Sequence, residues 1–169
     1  MNKIDDILII NTGGTFNKVY DEISGELIIP NSSKNLKKLI KKAFKSKMQI
    51  KGIIYKDSLD LTKEDRRELV KTIQKSKYKK IIVIHGTDTM DISSKYIAKR
   101  TQDKTIVFIG AMIPVSIDVT EGVANLSLAL GFLNSKDKDG VYIAMHGIVK
   151  QYKSLVKNRE LGIFQVKRG

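Results

Sequence analysis

Five short apolar runs rich in Ile and Val, spaced by helix-length amphipathic segments, restrict this chain to few architectures. They are Ile7 to Ile10, Ile50 to Tyr55, Ile81 to Ile84, Thr105 to Ile109 and Val141 to Met145. Their apolar character is continuous instead of alternating, which suits strands covered on both faces, as in a parallel sheet. The intervening segments change period. Leu36, Leu39, Ile40 and Ala43 fall at helical spacing within Asn35 to Ala43, as do Leu69, Val70 and Ile73 within Lys63 to Ile73. Val123 to Leu133 is almost wholly apolar and is expected to be a deeply packed helix. Thr62, with Asp65 three residues on, has the pattern of an N-cap with an acidic first turn. Strand and helix in alternation predict an open, mostly parallel α/β sheet with helices on both faces, of the Rossmann or flavodoxin kind.

At 169 residues the chain has the size of one domain able to bury a full core, and residues 1–169 read as a single unit with no linker or repeat. No apolar run approaches the roughly 20 residues needed to span a bilayer, and Met1 to Asp6 lead straight into the first run without a signal-peptide pattern. A cytoplasmic protein with no membrane partner is therefore expected. With no cysteine, disulfides, thiolate metal sites and cysteine nucleophiles drop out, and two isolated histidines, His85 and His146, make no metal cluster. The net charge of +13 raises the question of nucleic acid. Its distribution argues against such a partner. The lysines spread over Lys34 to Lys51 and Lys63 to Lys80, with few aromatics among them to stack on bases, so they read as solvated helix faces.

In open α/β sheets ligands bind beyond the carboxyl ends of the strands, so the residues after each run matter most. Asn11-Thr12-Gly13-Gly14-Thr15 follows the first, Lys56-Asp57-Ser58-Leu59-Asp60 the second, His85-Gly86-Thr87-Asp88-Thr89 the third and Gly110-Ala111-Met112 the fourth. Two glycines beside Thr15 allow backbone N–H groups to approach a reacting atom. A Gly-Gly turn flanked by threonines is more often only a turn. A threonine hydroxyl attacks only when a base takes its proton. His85 is one candidate base, although a histidine ending a buried strand is more often a hydrogen-bonded structural residue; a lysine held by a carboxylate is the other. Asp88 is the best such carboxylate, or else Thr87-Asp88-Thr89 simply caps the helix starting near Asp91.

The motifs Thr12-Gly13-Gly14-Thr15, Asp57-Ser58-Leu59-Asp60, His85-Gly86-Thr87-Asp88-Thr89-Met90 and Gly110-Ala111-Met112 with Pro114 resemble, in order and spacing, those of the bacterial-type L-asparaginase family. The resemblance implies that Thr15 forms an acyl-enzyme and that Thr87, Asp88 and a lysine form a Thr-Lys-Asp triad. Counting on from the fifth strand brings that lysine to Lys157, with Lys150 and Lys153 as alternatives. Asp88 would also accept the substrate's α-ammonium group, Ser58 would meet its α-carboxylate, and the Ala111 carbonyl would hold the leaving amide. Gly14, Asp57 and Gly86 complete the expected substrate-binding set, with amides near Gly14 and Thr87 to Asp88 around the oxyanion. The implied reaction converts L-asparagine to L-aspartate and ammonia without cofactor or metal, in a homodimer or higher homo-oligomer. A weakly catalytic amino-acid-binding module, or an amidase acting on glutamine, are the alternatives.

The segment 17–30 reads as a flap, with a turn at Ser24-Gly25 and a short strand at Leu27 to Ile29. Members of the family carry a flap tyrosine farther along; here Tyr20, five residues after Thr15, is the flap's tyrosine and is expected to activate Thr15. Family members also continue into a smaller second domain, so the resemblance implies a short form comprising the N-terminal domain alone. Val119 to Leu133 and Leu161 to Phe164 are candidate oligomer surfaces or core, and Gln151 to Gly169 is otherwise polar and basic.

Overall fold

A computed structural model of the chain describes residues 4, 6–135 and 138–167. Residues 1–3 and 5, in the segment expected to lead into the first strand, lie outside them, as do 168–169 at the end of the basic tail. In chain order the elements are β1 (Ile7–Gly13), β2 (Val19–Asp21), β3 (Glu26–Ile28), α1 (Lys34–Phe44), β4 (Gln49–Lys56), α2 (Lys63–Lys75), β5 (Lys80–Ile84), α3 (Met90–Ala98), β6 (Thr105–Ile109), α4 (Thr120–Ser135), β7 (Gly140–Met145), β8 (Ile148–Gln151), β9 (Leu155–Asn158) and β10 (Ile163–Val166). Single 3₁₀ turns occupy Thr15–Asn17 and Ser58–Asp60.

The five apolar runs are the five parallel strands of one six-stranded sheet, in the order β4-β1-β5-β6-β7, with β8 added antiparallel at the edge. The crossover from β1 to the outer strand β4 and back to β5 is the strand-order reversal where such sheets bind ligands. Alternate side chains of each strand enter opposite layers. Ile7, Ile9, Ile82, Ile84, Val107 and Ile109 pack with Leu36 and Ile40 of α1 and Leu126, Ala129, Leu130 and Leu133 of α4. Leu8, Ile10, Ile81, Val83, Ile106 and Phe108 face the other way, onto Leu69, Val70 and Ile73 of α2 and Met90 and Ile97 of α3. Continuous apolar runs are needed because both faces are covered. Thr62 and Asp65 form the full reciprocal capping box that starts α2, so two otherwise unpaired N–H groups at that helix end are satisfied.

The flap is the β2–β3 hairpin, with Val19 opposite Ile28 and Tyr20 opposite Leu27. The segment after β7, read from the sequence as polar and basic around an apolar cluster at Leu161 to Phe164, forms β8 and then the hairpin β9–β10, in which Asn158 pairs with Ile163 and Lys157 with Phe164. Leu155 and Phe164 of this hairpin are buried in the α2–α3 layer. Leu161 and Ile163 remain exposed, as does Val119 just before α4. No described helix is long and apolar enough to cross a membrane.

Candidate active site

Glycine lets three of the four strand-end loops touch through their backbones. A Cβ on Gly14, which sits at φ 74°, would lie 2.5 Å from the Gly86 nitrogen, and a Cβ on Gly86 would lie 2.6 Å from the Ser58 Cβ. At Gly13, φ 106°, a Cβ would meet the Lys56 backbone at 2.6 Å. Thr15 follows Gly14 and Thr87 follows Gly86, so each threonine is the next residue after one of two glycines in backbone contact. The first loop is stiffened by Asn11, whose amide nitrogen donates to Asn17 Oδ1 (2.8 Å) and Ser33 Oγ (3.1 Å), while the Asn17 amide donates to the Gly13 carbonyl (2.6 Å). The Gly14 N–H donates to the Lys56 carbonyl at 2.9 Å. That amide is committed to the fold, so what Gly14 contributes to the site is close approach, and an oxyanion must find other donors.

Lys157 Nζ lies 2.8 Å from Thr87 Oγ1 and 2.8 Å from Asp88 Oδ1, joining the hairpin β9–β10 to the loop after β5. The lysine side chain is 14% exposed and the aspartate 32%, so this pair is far better shielded than a surface ion pair. Arg159, two residues further, donates from one nitrogen to Asp88 Oδ1 (3.1 Å) and from the other to the Asp88 carbonyl (2.8 Å). Lys150 is exposed on β8, and Lys153 lines a cleft of about 490 Å³ with Asp103, Asp139 and Tyr152.

Ser58 is buried, and its oxygens hold Thr89: the Ser58 carbonyl accepts from Thr89 Oγ1 at 2.7 Å. Asp57 accepts from the Leu59 N–H and pairs with Lys18 Nζ at 3.1 Å. Burial opposes the charged form of Asp57, but the Lys18 ammonium and the Leu59 N–H outweigh it and hold the carboxyl below the ordinary carboxylate range. Ala111 is buried, and its neighbours Met112 and Ile113 donate their N–H groups to Glu121 at the start of α4. Tyr20 is 63% exposed on the flap, with its hydroxyl 4.0 Å from where a Gly25 Cβ would be. It takes no part in the hydrogen-bonded cluster of Thr87, Asp88, Lys157 and Arg159.

His85 is fully buried. Its Nδ1 lies 2.7 Å from the Gly86 carbonyl, which only accepts, so the ring carries its N–H there, and Nε2 accepts a hydrogen bond from the Ser93 hydroxyl (2.8 Å). Ser93 in turn accepts from Arg66 Nε (2.9 Å). Burial pushes the His85 pKa down to about 4, so the ring is neutral and acts as a brace for Gly86. Asn125 and His146 do similar work on the fourth loop. The Asn125 amide donates to the Gly110 carbonyl (3.0 Å) and accepts from the His146 N–H, and the His146 ring joins Glu121 Oε1 (2.9 Å) to the Phe164 N–H (3.1 Å). Asn11, Arg66, Asn125 and Arg159 carry no motif that marks them, although a polar Asn125 within an otherwise apolar helix is a signal in the sequence. Among the described residues no group of three His, Asp or Glu side chains is placed to hold a metal ion.

The strand order, the reversal point and a Thr-Lys-Asp cluster beyond the carboxyl ends define an α/β domain with a hydroxyl-rich site at its switch point. The chain belongs to the asparaginase family: residues 6–162 match its N-terminal domain, described as "Asparaginase, N-terminal". It is 33% identical over 148 residues to a glutamyl-tRNA(Gln) amidotransferase subunit from Nanoarchaeum equitans (strain Kin4-M), a match covering 85% of this chain and 37% of that one. Among solved structures it is similar to the thermostable L-asparaginase from Thermococcus kodakarensis, at 24% identity and a TM-score of 0.81 over 95% of this chain and 50% of the other. A probable cytoplasmic L-asparaginase from Campylobacter jejuni matches at 25% identity with a TM-score of 0.78, over 95% of this chain and 52% of that one. The chain thus spans about half the length of these solved relatives, and less of the curated one.

Proposed function

We propose that this domain carries an amidohydrolase site in which Thr15 attacks the side-chain amide of L-asparagine. The observation that carries the reading is Lys157 Nζ at 2.8 Å from both Thr87 Oγ1 and Asp88 Oδ1. A positioned amine between a hydroxyl and a carboxylate can relay a proton, which is what hydroxyl chemistry requires. In this reading Thr15 Oγ1 adds to the amide carbon as its hydroxyl proton is passed to the amide nitrogen, the C–N bond breaks, ammonia leaves and an acyl ester remains. A water then attacks the ester, giving its proton through Thr87 to Lys157; the ester C–O bond breaks, the acid leaves, and a proton returns to the Thr15 oxygen. Ser58 and Asp57 lie at the strand-end edge to orient the substrate, and the Ala111 carbonyl holds the amide. Tyr20 serves as activator of Thr15 only if the flap closes, bringing the exposed ring inward. Closure by a second copy, in a homodimer or larger assembly, and a cytoplasmic setting belong to the same proposal.

Ammonia release from L-asparagine by the purified protein tests it. Thr15→Ala and Thr87→Ala are each expected to lower the rate at least about a hundredfold, the lower end of what positioned proton transfer contributes. Rates equal to the parent in both variants would remove the proposal. The similarity to an amidotransferase chain named for glutamyl-tRNA(Gln) supports a second reading, in which glutamine or another amide is the ammonia source. Initial rates on both amino acids across concentration separate the two.

A further inference from the structure

A cavity of about 330 Å³ opens between α1 and the root of the flap, and none of the candidate catalytic side chains lines it. Its floor is the buried Phe16 and Leu36, and its walls are the half-buried Val19, Leu39 and Val115. The fold fastens these walls together. The Val115 N–H donates to the Phe16 carbonyl at 3.3 Å and the Ser116 hydroxyl to the Lys18 carbonyl at 2.6 Å, which ties the loop before α4 to the start of the flap. The Asn17 side chain, also in the lining, is spent on Gly13 and Asn11. The interior is therefore apolar and preformed, as small-molecule sites usually are.

Its rim carries charge of one sign. Lys38 and Lys42, one helical turn apart on α1, line the cavity with exposed side chains, and among the described residues neither is in an ion pair. Lys18, the third lysine of the lining, is matched by Asp57 at 3.1 Å. The acids of the neighbouring elements stand outside the lining. Asp21 accepts from the Ser24 N–H, Asp118 from the Thr120 N–H, and Glu121 from the Met112 and Ile113 N–H groups. Glu22 and Glu26 are exposed on the flap's turn and on β3. Two ammonium groups thus border an apolar hollow that no acidic side chain lines among the described residues. Their methylene stems extend its wall while the charged ends stay in water.

We propose that this cavity binds a medium-chain monocarboxylate, with the tail on Phe16, Leu36, Leu39 and Val115 and the head between Lys38 and Lys42. At about 30 Å³ for each heavy atom, the share a water takes in the liquid, 330 Å³ admits about ten heavy atoms, the size of octanoate. This goes beyond the amidohydrolase reading and does not depend on it. Isothermal titration of the purified protein with sodium octanoate, at roughly 0.15 M salt, tests it. A Kd below about 1 mM is expected for a ligand of this size, with butyrate, which keeps the head but shortens the tail, at least about tenfold weaker. Lys38→Gln with Lys42→Gln is expected to weaken octanoate about fivefold or more. Lys37→Gln with Lys41→Gln removes the same charge from α1 at two exposed lysines outside this lining, and is expected to keep the affinity within about twofold. All four lysines are exposed, so neither double variant is expected to unfold, and circular dichroism checks this. Equal weakening in the two double variants would mean that net charge alone attracts the anion, and equal affinity for butyrate that the hollow takes no tail; either result overturns the assignment. So does an absence of octanoate binding up to about 10 mM, including the case where sedimentation shows a second copy covering this face.

Discussion

Lys157 and His85 show how the same fold sets two ionisable residues to different tasks. Lys157 keeps 14% of its side chain accessible and touches both a hydroxyl and a carboxylate, so removing its amine removes the link between Thr87, Asp88 and the hairpin. Lys157→Met is expected to cut ammonia release by about a hundredfold or more while leaving the melting temperature nearly unchanged, since methionine fills a similar volume. Full activity in that variant would transfer the role elsewhere. His85 is neutral in the fold because burial lowers its pKa to about 4, whereas the unfolded chain takes up the proton near the ordinary value of about 6.5. The unfolded state then binds more protons below pH 6.5. Stability is expected to fall as pH drops from about 6.5 to about 4, by up to about 3 kcal/mol, and to lose this slope in His85→Gln; urea unfolding across that range measures it.

At the scale of elements, the site is a meeting of loops, and glycine sets how closely they meet. Gly86→Ala places a Cβ 2.6 Å from the Ser58 Cβ and 2.7 Å from its hydroxyl, and neither neighbour is the end of a long flexible chain. We expect a loss of about 1–3 kcal/mol, typical of overpacking, together with a raised KM as the Ser58 turn is displaced. A chemical denaturation midpoint equal to the parent's would contradict that. The five parallel strands were legible as continuous apolar runs and α1, α2 and α4 as helix-length segments between them, and the capping box at Thr62 marked the start of α2. The hairpin β9–β10 was not. Its strands are four residues each and mostly exposed, and Leu155 and Phe164 have meaning only against the α2–α3 layer. Lys157 could be reached from a resemblance in spacing, whereas Arg159 became visible only once the hairpin had folded.

At the scale of the whole molecule, the net charge of +13 is a cost distributed over exposed helix faces. Lys34, Lys37, Lys38, Lys41 and Lys42 are all exposed on α1, which has no acidic residue in its first turn, and lysines three and four apart repel. Raising ionic strength from roughly 0.02 to 0.3 M is expected to raise the melting temperature by screening this repulsion. A melting temperature that falls or stays level with added sodium chloride would show that the charges are compensated some other way.

The sequence by itself determined the layers, the parallel class of the sheet and the edge at which chemistry must lie, because burial on both sheet faces demands continuous apolar runs that local residues carry. It also placed Thr15, Ser58, Thr87 and Asp88 on the loops beyond strand ends, since loop position follows from strand position. Tertiary structure separated Lys157 from Lys150 and Lys153 and named the partners of His85, and it alone decided that the Gly14 amide is spent on Lys56 and that Asp88 is shared with Arg159. Those outcomes depend on distances between segments up to 71 residues apart, and such distances are set by packing that no local pattern encodes.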